Sequence, residues 1–267
     1  MHRDRIQELT VLPGTNRSGE REGFDRIAIR PGDTISIVGP TGSGKSAFVN
    51  DIEVLAQGDT VTGRRVLVDG LPPAEEMVRD PSRKPIALIT QNTRVIADLT
   101  VSRFLALHIR ARKSELEELV ARTVDLANEF TGEKISASLR MTSLSGGQTR
   151  SLLIADAILV GQTPILLLDE VENAGICKER VIGCLEAYRK AVIFVTHDPY
   201  LALSAARRIV MRNGAVVAVL EPDGQERGTI GRLAGIEAFL RDLRDRIRSG
   251  ELIGDGSRVR EELAALT

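Results

Sequence analysis

Short, continuously apolar runs separated by Gly- and Pro-containing breaks dominate this chain. Thr34–Val38, Ile86–Thr90, Pro164–Leu168 and Ala191–Thr196 are such runs, each of strand length. Continuous rather than alternating apolarity marks strands covered on both faces, as in a parallel sheet flanked by helices. Phe24–Ile29 predicts a further short strand, closed by the turn Arg30-Pro31-Gly32-Asp33. Val66–Val68 predicts another, ending at Asp69-Gly70 and continued as loop by Leu71-Pro72-Pro73. Arg208–Met211 and Val216–Leu220 flank Asn213-Gly214, a residue pair favoured in tight hairpin turns.

Between these runs the period becomes helical. A helix from about Lys45 carries Phe48, Val49, Ile52 and Leu55 on one face. From Val95 to about Glu129 the apolar positions are Leu105, Leu107, Leu116, Leu119, Val120 and Val124, which predicts an inserted helical subdomain over roughly 92–150. Another helix lies between the last two apolar runs. A charged helix, Ile236–Ile247, turns Leu240 and Leu243 inward, and the tail from Ser249, with Gly250, Gly254 and Gly256, predicts a loosely held end. The expected fold is α/β, a mostly parallel sheet with flanking helices and N-terminal antiparallel strands. The corresponding division is a core over 1–91 and 151–222, a helical subdomain at 92–150 and a C-terminal extension at 223–267.

Composition changes this picture little. Apolar residues make up 42% and charged residues 27%, ordinary for a globular protein. Aromatic residues are only 3% with no Trp, so Leu, Ile, Val and Ala must build the core. A net charge of −1, with Lys and Arg spread along the chain, gives no strong nucleic-acid signal. Cys177 and Cys184, seven apart, predict buried free thiols on one helical face rather than a disulfide or a metal site. No stretch approaches the roughly eighteen apolar residues of a membrane span, and Met1-His2-Arg3-Asp4-Arg5 leads into no signal-peptide segment. The expected location is cytoplasmic.

The chemistry begins at Gly39-Pro40-Thr41-Gly42-Ser43-Gly44-Lys45-Ser46, followed by Ala47, which matches G-x-x-x-x-G-K-[ST] between a predicted strand and a predicted helix. Glycines let backbone N–H groups approach phosphate oxygens, and the helix N-terminus adds partial positive charge. Lys45 would reach the β- and γ-phosphates and the Ser46 hydroxyl would bind Mg²⁺. Ile165-Leu166-Leu167-Leu168-Asp169-Glu170 is an apolar strand ending in carboxylates, where ligands of parallel sheets bind. Asp169 would hold Mg²⁺ through water, and Glu170 is placed to polarise the attacking water. ATP and Mg²⁺ are the expected cofactors.

Leu144-Ser145-Gly146-Gly147-Gln148 resembles the signature of the ATP-binding cassette (ABC) ATPases, lying 98 positions after Ser46 and shortly before Asp169-Glu170, in that family's order. Ser145 and two glycines at a helix start make a second phosphate cradle; a helix cap is the structural alternative. The resemblance spans roughly 24–220. It implies that Ser145, Gly146, Gly147 and Gln148 close over the γ-phosphate held by a second copy. It further implies that Gln91 is the glutamine beside Mg²⁺ and the lytic water, and that His197 is the switch histidine contacting the γ-phosphate and Glu170. The chain departs from the family in two places. No aromatic precedes Phe24 to stack on adenine, where Leu12-Pro13-Gly14-Thr15-Asn16-Arg17 stands instead, leaving Arg17 or an apolar side chain for the base. Val171-Glu172-Asn173-Ala174-Gly175-Ile176 matches the family's D-loop only at Ala174.

The resemblance implies a homodimeric Mg-ATP hydrolase that drives a partner. One expectation is the nucleotide-binding subunit of a membrane transporter, docked on permease subunits through Gln91 and 92–100 and so peripheral at the inner face of the membrane. The other is a soluble ABC ATPase that powers a protein complex.

Overall fold

The computed structural model describes residues 6–80, 83–93, 95–112, 117–161, 163–170 and 176–253. A small antiparallel sheet is built from β1 (Leu9–Leu12), β2 (Ile27–Ile29) and β4 (Arg65–Val68), in the order β2-β1-β4. The larger sheet contains β3 (Thr34–Val38), β5 (Ile86–Ile89), β6 (Ile165–Asp169), β7 (Ala191–Val195), β8 (Arg207–Arg212) and β9 (Ala215–Leu220). Its order is β5-β6-β7-β3-β8-β9, parallel throughout except for the β8–β9 hairpin. The turn Asn213-Gly214 has both residues at positive φ, as the sequence predicts for that hairpin.

The continuous apolar runs have a direct explanation in packing. Successive side chains of a strand point to opposite faces. Ile165 and Leu167 of β6, with Ile193 and Val195 of β7, enter a core shared with the small sheet and with Phe48, Val49 and Ile52 of α1 (Lys45–Glu53). Leu166, Leu168, Val192 and Phe194 enter a second core on the other face, with Leu105, Phe130, Leu152 and Leu185. Each such side chain, withdrawn from water, contributes about 1.5–3 kcal/mol before entropy is counted. The sheet is therefore held on both faces, and the strand ends are left to carry chemistry.

The second core is closed by α3 (Val101–Ala111), α4 (Glu117–Phe130), α5 (Gly146–Leu159) and α6 (Lys178–Ala187). Here the sequence expectation needs correction. The helical pattern expected from Val95 starts only at Val101, because Thr100 caps the N–H of Arg103 at 3.3 Å. Backbone bonds from Val101 to Leu139 and from Met141 to Leu99 tie the preceding segment to residues 139–141 instead. Leu107, one of the apolar positions of that pattern, is 50% exposed; Leu116 lies outside the described residues. The first predicted strand is likewise shorter than Phe24–Ile29, and β1 and the short α2 (Glu75–Arg79) arise from segments without a strong pattern.

After β7, α7 (Pro199–Ser204) is opened by Asp198, which accepts the N–H of Leu201, with Pro199 at the first helical position. The charged C-terminal helix is longer than Ile236–Ile247: α8 runs over Gly224–Arg248 from an Asp223 cap. Leu240 and Leu243 are only half-buried. Ion pairs carry much of its attachment, Arg241 to Glu179 at 3.0 Å, Arg208 to Glu226 at 2.6 Å and Lys178 to Glu237 at 3.3 Å. Of the glycines in the tail, Gly254 and Gly256 lie outside the described residues. The cysteines are free, as expected. Neither is fully buried, however, and Cys177 is the N-cap of α6, not a residue of its face. Burial still pushes the Cys184 thiol up to about 11. Among the described residues no helix is long and apolar enough to cross a membrane.

One cluster has no counterpart in the sequence reading. Arg64 is fully buried and donates to Glu22 at 2.6 and 2.8 Å, to Asp51 at 3.0 Å and to the Gly214 carbonyl at 2.8 Å. Its guanidinium also lies 5.0 Å from the ring centroid of Phe48. Burial alone would push the Glu22 carboxyl up, but hydrogen bonds from Arg64, Val216 and Gly14 outweigh it and hold it below the usual range. Arg64, disfavoured by burial, is in turn raised by Glu22 and Asp51.

Candidate active site

Four parallel strands deliver their C-terminal ends to one edge of the large sheet, where ligands of such sheets bind. β3 runs into residues 39–44, β5 into Thr90, Gln91 and Asn92, β6 ends at Asp169 and leads to Glu170, and β7 leads to His197. A cavity of about 440 Å³ opens there. It is lined by Thr41–Ala47, Thr90, Gln91, Asn92, Asp169, Glu170, Val195 and His197, with Arg17 at its border as well. The size suits a small-molecule ligand.

The Gly-rich loop is shaped by two close approaches. An added Cβ on Gly39, at φ 154°, would lie 2.4 Å from the Met211 carbonyl oxygen. One on Gly44, at φ 101°, would lie 2.8 Å from the Cα of Gly214 in the β8–β9 turn. Only glycine combines these torsions with this clearance. No side chain caps α1, whose N-terminus opens on the cavity. The buried Ser43 hydroxyl has no hydrogen-bond partner among the described residues. Uncapped N–H groups and an orphaned buried hydroxyl are what an oxyanion would satisfy. Lys45 Nζ donates to the carbonyls of Gly39 and Pro40 at 2.7 and 3.1 Å, which uses two of its three donors. Gly39 and Pro40 themselves do not line the cavity; they shape the loop and steady Lys45.

Across the cavity, Glu170 adopts a left-handed backbone, φ 51°, while its N–H donates to the Val195 carbonyl at 3.0 Å. This turns the carboxylate off the line of β6. His197 Nε2 stands 3.9 Å from Glu170 Oε1, too far for a direct hydrogen bond yet close enough for charge coupling. The oxygen donors that could hold Mg²⁺, the Ser46 hydroxyl, the Asp169 carboxylate and the Gln91 amide, all line this cavity. They are hard ligands of the kind Mg²⁺ takes alongside phosphate and water.

Ser145, Gly146, Gly147 and Gln148 are not brought to this cavity. They open α5 on a different surface, with Ser145 and Gly146 exposed. The helix-cap alternative is realised there: Gln148 N–H donates to Ser145 Oγ at 3.2 Å, and Ser145 N–H to Gln148 Oε1 at 2.9 Å. The Gln148 side chain is thereby engaged within its own helix. Ser145 Oγ, accepting in this cap, still has its own proton to donate. Residues 171–175, and so the altered D-loop, lie outside the described residues.

Sequence reasoning missed Thr90 and Arg150, and it placed Asn92 on a docking surface and not in the cavity. Arg150 is buried in α5 and donates from Nη1 to the Gln91 carbonyl at 2.7 Å, tying that helix to the loop after β5. Burial lowers its pKa. A basic residue inside a helix reads as solvated, so only the fold reveals this contact.

Comparison with known proteins identifies the family. The family model described as ABC transporter matches residues 25–173. The chain is 44% identical to the ABC transporter ATP-binding protein MJ0121 of Methanocaldococcus jannaschii, over 92% of this chain and 94% of that one. It is 31% identical to the zinc import ATP-binding protein ZnuC of Ruegeria pomeroyi, over 74% and 71% of the two chains. A dimeric ATP-binding cassette solved in a post-hydrolysis state with ADP and Pi superposes with a TM-score of 0.62 at 24% identity, covering 81% of this chain and 99% of that one. The structure of cbiO1 of Clostridium perfringens, part of an ABC transporter complex, gives 0.62 at 22% identity, covering 90% and 97%. These two likenesses concern the fold alone, an α/β core. Family model and relatives together show that the chain belongs to the ABC transporter family, as one of its ATP-binding, ATP-hydrolysing subunits.

Proposed function

We propose that Mg-ATP binds in this cavity and is hydrolysed there between two copies of the chain. The observation that carries the proposal is the convergence of Lys45, Gln91, Asp169, Glu170 and His197 on one cavity while Ser145 and Gly146 are exposed elsewhere. Thr41–Ala47 cradle the phosphates through backbone N–H groups and the start of α1, and Lys45 neutralises the β- and γ-phosphates. Ser46 and Asp169, with Gln91, would hold Mg²⁺, which supplies charge neutralisation to the phosphates. Glu170 accepts the proton of the attacking water, and His197 couples Glu170 to the γ-phosphate.

The helical segment 92–150 acts as the subdomain that presents Ser145, Gly146 and Gly147 to the partner copy's nucleotide. A two-fold, head-to-tail arrangement makes each chain complete the other's pocket. Loss of the γ-phosphate removes the bridge, so bound nucleotide biases closed against open dimers through differential contacts. The driven partner in this reading is a separate membrane-spanning permease, which the family and the import relatives favour over a soluble complex.

Lys45→Ala tests the site directly. Mg-ATP affinity is expected to fall at least about tenfold, in keeping with losing a charged hydrogen bond of some 1.5–3 kcal/mol. Calorimetric titration reads this; unchanged affinity would place the phosphates elsewhere.

A further inference from the structure

The start of α6 carries a residue that local preference disfavours. Lys178 is the first residue of that helix, where a cation meets the positive end of the helix dipole. Its side chain is also only 13% exposed, and lysine is rarely withdrawn from water unless it is paired. Two carboxylates account for the placement. Lys178 Nζ donates to Asp198 Oδ2 and, at 3.3 Å, to Glu237 Oε2 of α8. Both carboxylates are themselves largely withdrawn from water. One ammonium thereby joins α6, the cap of α7 and the C-terminal helix α8.

Asp198 follows His197 directly. Its Oδ1 accepts the N–H of Leu201 at 2.9 Å, and its own N–H donates to the hydroxyl of fully buried Thr196 at 2.9 Å. Thr196 N–H donates in turn to the Ile37 carbonyl of β3 at 3.3 Å. Both neighbours of His197 are therefore fastened to the fold. The imidazole between them is half exposed and stands 3.9 Å from Glu170 Oε1, so the backbone on either side has a large share in setting its aim. Capping α7 would not by itself need Lys178. Oδ1 makes the cap, and asparagine would serve there as well. The ammonium on Oδ2 is an additional hold on the residue next to His197.

We infer that Lys178 is a positioning residue for His197. By drawing Asp198 onto α6, it sets the line on which the imidazole faces Glu170 and the cavity. Glu237 steadies the same ammonium from α8. The inference rests on the role given to His197 above and adds to it the group that holds His197 in place. A side chain that steadies a catalytic group from behind acts on the rate of the reaction and leaves ground-state binding alone.

Single-turnover hydrolysis of Mg-ATP, beside calorimetric titration with it, tests this on wild type, Lys178→Met, Asp198→Asn, His197→Ala and the double variant Lys178→Met with His197→Ala. Lys178→Met removes the charge at similar side-chain length and is expected to slow hydrolysis at least about tenfold, the scale of a slightly misplaced catalytic group, with ATP affinity unchanged. Asp198→Asn keeps the cap and should slow hydrolysis likewise. Without His197, Lys178→Met should cost nothing further, because a residue acting through His197 has nothing left to position. Undiminished hydrolysis in Lys178→Met or in Asp198→Asn would overturn the inference. So would a loss that persists in full without His197, or a matching loss of ATP affinity, either of which would give Lys178 a general structural role. A His197→Ala protein that hydrolyses ATP as wild type does would instead overturn the part given to His197, and this inference with it.

Discussion

ATP turnover by the Glu170→Gln variant is expected to fall by about two to four orders of magnitude, with Mg-ATP affinity changed by no more than about twofold. Glutamine keeps the size and most of the hydrogen-bonding reach of glutamate but cannot take a proton at neutral pH. The position is one where no other group can substitute easily. The left-handed turn after β6 aims the Glu170 side chain into the cavity. His197 stands 3.9 Å away and follows another strand. A mutation that lowers turnover while sparing affinity has removed an interaction made in the transition state alone. Steady-state turnover beside equilibrium titration separates the two quantities. Turnover near the wild-type level would show that Glu170 is not the base.

Arg64→Ala is expected to destabilise the folded chain by about 3–5 kcal/mol, the cost of stripping one partner from a buried ion pair. The loss is large because two carboxylates remain. The side chains of Glu22 and Asp51 are fully buried, or nearly so, and a single guanidinium balances the charge of both. The pH dependence follows from the direction of the Glu22 shift. Its folded pKa is lowered, so its contribution is present above the unfolded carboxylate range, near 4.3, and is lost as pH falls through the folded value. In Arg64→Ala the Glu22 carboxyl, desolvated and without its cation, favours protonation instead. The stability difference between the two proteins should therefore shrink on acidification. Chemical denaturation at neutral pH and near pH 4 reads both effects. A cost under about 1 kcal/mol at neutral pH would mean that the triad is no more than a surface-like pair.

The network also shows where reading the sequence reaches its limit. Phosphate chemistry demands particular residue types at short, fixed spacings, so Gly39–Ser46 and Asp169-Glu170 announce themselves. Gln91 and His197 gain meaning only through the family resemblance, which the apolar runs support by predicting strand ends at both, and β5 and β7 end beside them. Arg64, Glu22 and Asp51 are distant in sequence and of residue types normally found in water, so no local signal marks them as interior. Arg150 is hidden for the same reason. The helix expected from Val95 fails differently: its apolar spacing is real, but the Thr100 cap and the backbone bonds to residues 139–141 outweigh it. The Ser145 segment satisfies two readings at once, a helix cap within its own chain and an exposed cradle for another.

Whether two copies close around nucleotide decides the account. The measurement is the solution mass, by light scattering with Mg-ATP, of Glu170→Gln alone and of Glu170→Gln combined with Ser145→Arg. The first should be a dimer with ATP and a monomer without it; the second should remain a monomer while still binding ATP. A Glu170→Gln protein that stays monomeric when saturated with ATP, or a double variant that dimerises as readily as the single one, would contradict it.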